Sequence, residues 1–338
     1  MLILIARRLL IIVPLMLAVS FIVFALVEMF PGDACEVKHE KHATEEILAG
    51  CRVEYNLEGP FLTRYFRFLG SAVQGDLGKS IFKEERVSEA ILSKLPATIE
   101  LSLLALMIAF VLGTWIGTKS ALKPGSWVDA IGQIVSMAGV SIPVFWLGMI
   151  VLSMFAGRGD WFQIDGWDAE TLGPDVDYAT RFYFFESLFR FEFGAFVNAV
   201  KYITLPAITL STIPLATITR MTRSAVLEEA SKDYVTTARA KGLSEKKVIS
   251  RHVRRNALIP VVTITGLQLG VLLSGAVLTE KVFSWPGLGR AMVGAATQRD
   301  YPIIMGCMLL FVCIFVFVNL IVDLLYLWID PRIRSGNA

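Results

Sequence analysis

DYVTTARAKGLSEKKVISRHVRRNALIP, residues 233–260, is the stretch from which the rest of the chain is read. It holds seven Lys/Arg against two acids, yet it lies between two of the most apolar segments of the sequence. Of the 338 residues, 55% are hydrophobic, and mean hydropathy is +0.61. Charged residues make up 18%, below the roughly 25% usual for soluble domains. Net charge is only +2, so no global field draws the chain to nucleic acid. Six apolar segments, approximately 9–27, 101–118, 130–156, 202–219, 257–279 and 302–328, approach the roughly 20 residues that a bilayer-spanning helix needs. The chain reads as an all-α, polytopic membrane protein of six transmembrane helices.

The run from Leu9 to Val27 is longer than a signal-peptide core, and no small-residue cleavage site follows it. It therefore reads as a retained anchor. Orientation follows from Lys and Arg in short segments beside the spans. Arg7 and Arg8 place the N-terminus in the cytoplasm, as they do the segments 119–129 and 220–256 and the tail. Segment 220–256 carries ten Lys/Arg against four acids, whereas 157–200 on the other side carries three Arg against eight acids. The expected organisation is a first transmembrane helix at 1–30, an extracytoplasmic loop domain at 31–97, a five-span core at 98–330 and a cytoplasmic tail at 331–338.

Inside the basic strip, local signals predict two short helices. Asp233 is positioned to cap the first, with Tyr234, Val235 and Ala238 as its apolar stripe. Gly242 stands where a helix commonly ends in a left-handed residue. Ser244 is positioned to cap the second, which has Val248, Ile249, His252 and Val253 on one face and Arg251, Arg254 and Arg255 in its last turn. Topology and lipid headgroups account for the charges. An apolar face on each helix exceeds what topology needs and suggests a docking surface for a cytosolic partner.

At TARAKGL (237–243) and RHVRRNALIP (251–260) the sequence resembles the cytoplasmic coupling motif of ABC importer permeases of the dipeptide/oligopeptide/nickel branch. The likeness continues in FPGDA (30–34), GDLGKS (75–80), LPATIELSLLAL (95–106), SIPVFWLG (141–148), RMTRSAVLE (220–228), FSWPGLGR (283–290), RDYP (299–302) and DPRIR (330–334). The pattern is most like that of B-type dipeptide permease subunits. It implies that an elbow at 228–256 fits a cleft on a cytosolic ATPase, through Tyr234, Thr236, Thr237, Ala238, Arg239, Ala240, Lys241, Gly242 and Leu243. The broader motif begins Glu-Ala-Ala, and Thr236, Thr237 and Ala238 stand there instead, so no role passes to the missing acid. Implied partners are a second, homologous permease subunit, two ABC ATPases that carry ATP-Mg, an extracytoplasmic substrate-binding protein and membrane lipid, in a bacterial inner membrane.

No cofactor or catalytic residue is expected in this chain. Gly78-Lys79-Ser80 is suggestive of a phosphate loop, but that loop needs another Gly where Val73 stands. A proton-coupled secondary transporter, the alternative class, would carry acids or His within its spans. Here Glu28, Glu100 and Glu280 sit at span ends, and Asp323 is near the cytoplasmic end of the last. A channel would need a filter-like segment, and none is evident. Pro14, Pro143, Pro206 and Pro214 interrupt spans. Ser141, Pro143 and Trp146 suggest a broken wall along a pathway. Phe283, Trp285, Pro286 and Gly287 suggest a segment that dips back as an outer gate. The substrate class, peptides as against nickel complexes, haem or antimicrobial peptides, rests on the resemblance.

The loop domain contains Cys35, His39, His42 and Cys51, all of them zinc-ligand types. The spacing differs from known structural sites, and an oxidising compartment favours a Cys35–Cys51 disulfide over free thiols or a metal site. Phe61, Leu62, Tyr65, Phe66 and Leu69 form an amphipathic stretch expected to pack on the membrane surface or on the spans. Cys307 and Cys313 read as buried thiols of the last span.

Overall fold

The computed structural model describes residues 2–29, 34–39, 44–155, 178 and 180–329. His42, the stretch 157–177 and the tail 331–338 lie outside the described residues, as do the side chains of Arg7, Arg8 and Asp323. The described residues are helical, and one isolated bridge joins Lys79 and Arg86. Helix α1 (Leu2–Glu28) is followed by three short helices, α2 (Ala34–Lys38), α3 (Glu45–Glu54) and α4 (Phe61–Val73). Next come α5 (Val87–Leu122), α6 (Trp127–Ser141), α7 (Val144–Phe155), α8 (Tyr183–Phe189) and α9 (Phe193–Ala230). The last part holds α10 (Asp233–Ala240), α11 (Glu245–Lys247), a π-helical turn (Val248–Val253), α12 (Arg254–Gly275), α13 (Val277–Val282), α14 (Leu288–Gln298) and α15 (Tyr301–Ile329).

Four stretches are long and apolar enough to cross a membrane: α5, α9, Glu245–Leu273 and Tyr301–Val322. Helices α6 and α7 pass the same test together. At 36 and 38 residues, α5 and α9 are roughly 54 and 57 Å long. Both exceed the roughly 30 Å of a bilayer's hydrocarbon layer. They form the centre of the bundle. A Cβ on Gly117 of α5 would lie 2.6 Å from the Thr219 carbonyl of α9, so only glycine lets these backbones meet. Pro206 and Pro214 do not end α9, because packed neighbours can compensate the lost backbone bonds.

The third span, 130–156, is broken at the place where Ser141 and Pro143 suggest a broken wall: α6 and α7 meet at 106°, and Pro143 supplies the interruption because it has no N–H to continue α6. Other expected features differ. The elbow's second helix is not separate, because α11 runs through the π turn directly into α12. Lys232, not Asp233, caps α10, and Ser244 caps α11 without a side-chain hydrogen bond. Glu100 and Glu280, at the ends of apolar runs, are both 0% exposed.

Beyond α1, the chain forms a small disulfide-linked unit. Cys35 and Cys51 are bonded, with Cα atoms 6.0 Å apart, and pack with Leu48, Tyr55 and Leu57. Tyr65 of α4 turns onto α1, where its hydroxyl meets Ser20 at 3.0 Å and the Leu17 carbonyl at 3.1 Å. Phe21 and Phe24 meet it and Phe61 edge to face, the arrangement that aromatic quadrupoles favour. Arg64 donates two bonds to Glu28, at 2.6 and 2.7 Å. Leu62 and Phe66 stay exposed.

Candidate functional site

The elbow is built from the inside outwards. Val235 and Ala238 of α10, and Val248 and Val253 of the π turn, are buried with Ile218, Ala225 and Val226 at the end of α9. Burying these apolar groups holds the elbow against the bundle. Tyr234 is tied down by its hydroxyl, which donates to Glu229 and accepts from Asn256 at 3.0 Å. What remains outward is Thr236, Thr237, Arg239, Ala240, Lys241, Gly242 and Leu243, continuing through Ser244 to Lys247. Of the residues implied by the resemblance, Ala238 therefore faces the bundle and the others, Tyr234 in part, face away from it.

Two local features shape this outward strip. Gly242 has φ +78°, a left-handed value that side chains adopt at a cost. Its N–H bonds the Arg239 carbonyl at 2.9 Å, and the Leu243 N–H bonds that of Ala238 at 3.4 Å, closing the end of α10. Across the turn, Arg239 donates two bonds to Glu245, at 2.9 and 3.1 Å. The Glu245 carboxylate raises the Arg239 guanidinium further above its usual range.

Beside the elbow lies a charge pair that the sequence reading missed. Asp129, 2% exposed, accepts from Arg223 at 2.7 and 3.0 Å, from the Gly125 N–H at 2.9 Å and from the Ser120 hydroxyl. This fastens α5, α6 and α9 together where α9 enters the elbow. The local signal was present: Ser126 caps α6 and accepts from the Asp129 N–H, a cap with its acid three residues on. The spatial partner was not visible, because Arg223 lies 94 residues away.

The pathway residues form two groups. Ser141, Pro143 and Trp146 are exposed at the α6–α7 break. Pro143 and Phe145 line a cavity of about 270 Å³ with Leu210, Ile213, Pro214 and Gln268. Phe283, Trp285 and Gly287 are instead buried, with Pro286 half-buried, and none of the four lines that cavity. Trp285 donates from Nε1 to the Ala97 carbonyl of α5 at 2.9 Å, and the Phe283 ring packs on α7 at Gly148.

Comparison with known proteins agrees with this architecture. Residues 92–335 match the family model described as binding-protein-dependent transport system inner membrane component, and residues 1–102 match the N-terminal model of such components. A di/tripeptide transport system permease protein of Pseudomonas aeruginosa (strain UCBPP-PA14) is 44% identical over 331 residues, covering 98% of each chain. A dipeptide transport system permease protein of Escherichia coli (strain K12) is 40% identical over 332 residues, again 98% of each. A glutathione transport system permease protein of Salmonella paratyphi A (strain ATCC 9150 / SARB42) is 35% identical over 328 residues, 97% of each. With both models matched and relatives aligned from end to end, the chain belongs to the inner membrane component family of binding-protein-dependent transport systems.

Proposed function

We propose that this chain is the B-type permease subunit of an ATP-driven importer of dipeptides and short oligopeptides. The observation that carries the reading is the elbow: an outward strip, Arg239–Lys247, held between two buried apolar anchors and shaped by Gly242. Such a strip suits a cleft on a separate ATPase, whose closure would push on the ends of α9 and α12. The Lys/Arg distribution supports a cytoplasmic elbow and cytoplasmic termini. The substrate class is supported by the relatives, which are named for dipeptides, di/tripeptides and glutathione. The working complex would add a homologous permease subunit, a second ATPase and an extracytoplasmic binding protein.

The test is uptake of labelled di- and pentapeptides by vesicles that carry the full complex. Binding-protein-dependent uptake of dipeptide, driven by internal ATP and insensitive to collapse of the proton gradient, is expected. Uptake that follows the proton gradient would point to a secondary transporter. Uptake of a nickel complex or haem with no peptide uptake would move the substrate class.

A further inference from the structure

Glu280 is fully buried, and its carboxylate accepts three hydrogen bonds. The Thr98 hydroxyl donates to Oε1 at 2.7 Å; the backbone N–H groups of Gly289 and Arg290 donate to Oε2 at 2.7 and 3.1 Å. The same Thr98 hydroxyl oxygen accepts from the Leu288 N–H at 2.9 Å. Three successive backbone donors at the start of α14 are thus taken up by two side chains, one on α5 and one on α13. A carboxylate at a helix N-terminus also meets the positive end of the helix dipole. A Cβ on Gly287 would strike the carboxylate, so the chain passes directly over it.

The segment held in this way has no regular structure of its own. Between α13 and α14, Ser284 is left-handed at φ 52° and Pro286 lacks an N–H. Local bonds tie it to its flanks, from the Trp285 N–H to the Glu280 carbonyl at 2.8 Å and from Arg290 to the Ser284 carbonyl; its hydrogen bonds to α5 are made by Thr98 and by the Trp285 bond to Ala97, both in one turn of that helix. Two residues further on, Glu100 accepts the Phe185 N–H of α8 at 3.0 Å. Residues 97–100 thus hold both connecting segments at this end of the bundle. From Thr98 to Ser120, which bonds Asp129 beside the elbow, α5 runs roughly 33 Å without a break.

We propose that Glu280 and Thr98 are positioning residues for transport: they clamp the 283–290 turn to α5, so that the turn moves with α5 when the elbow end is driven. This rests on the importer reading for its transport consequence, and on geometry alone for the clamp. The mechanical core is Thr98, because Thr98→Val keeps its shape and removes both of its bonds, whereas Thr98→Ser keeps them.

The experiment uses the full complex in lipid nanodiscs, with both faces reachable, and a Ser284→Cys reporter labelled by a maleimide. The same protein without the reporter corrects for Cys307 and Cys313. Thr98→Val should raise the labelling rate several-fold and lower peptide uptake per ATP hydrolysed in vesicles several-fold; Thr98→Ser should restore both. Glu280→Gln, which keeps one acceptor oxygen, should fall between. Unchanged labelling in Thr98→Val overturns the clamp. So does an equal fall in uptake and ATP hydrolysis, with lower thermal stability and no change in labelling, which is a purely structural defect. If labelling responds but the wild-type complex takes up no peptide, the clamp stands and the substrate reading fails.

Discussion

At Gly242 the backbone takes φ +78°, and a Cβ added there would meet no atom within 4 Å. Space is therefore not what selects glycine; the backbone angle is. A side chain at this angle costs on the order of 1 kcal/mol, and a β-branched one more. That is too little to unfold a bundle of long apolar helices, yet enough to turn α10 against the chain that follows it. Gly242→Val should leave protein level and membrane insertion near wild type. Peptide uptake and binding-protein-stimulated ATP hydrolysis should fall together, while Lys246→Ala changes little. Wild-type uptake by the valine variant would show that the strip tolerates rotation and is not the coupling element. This residue was legible in the sequence because a glycine after a short helical pattern has a local cause. Glu280 was not. A one-dimensional reading places it at a span end, and its partner Thr98 lies 182 residues away.

Among the elements, hydropathy located the long helices well, because a bilayer demands length and apolarity over one continuous stretch. Hydropathy alone did not show the 106° break between α6 and α7, since both halves are apolar; Pro143 marks where the break falls but not its angle. Nor did hydropathy find the π turn, where Val248 and Val253 both reach the buried cluster and one extra residue is absorbed within the helix. The disulfide unit is the element most separable from the rest. Its bond closes a loop of sequence separation 16, worth roughly 3 kcal/mol in the chain-entropy model. Reduction should speed amide hydrogen exchange across 45–57 while the cores of α5 and α9 stay protected. Two freely alkylatable thiols in the unreduced protein would show that the bond does not form.

For the whole molecule, the question is which end faces which side. The disulfide unit and the clamped turn lie at one end of α5 and the elbow at the other. A cysteine reporter at exposed Glu58 and another at exposed Ser231 read the two ends independently. In intact spheroplasts, an impermeant maleimide should label Glu58→Cys and spare Ser231→Cys. The reverse pattern would invert the arrangement.

The Arg239–Glu245 pair has a further consequence for encounter with a partner. These two charges largely cancel each other, so the outward strip presents Lys241, Lys246 and Lys247 as its surplus, with Arg251, Arg254 and Arg255 also exposed. A chain whose net charge is only +2 thus carries a concentrated positive field at one tip. Fields of that kind raise association rates and fade with ionic strength, over a Debye length of about 8 Å at physiological salt. Binding of an isolated ATPase to the reconstituted permease should therefore slow as salt rises, through its on-rate, while dissociation, governed by the close contacts of the elbow, stays nearly constant.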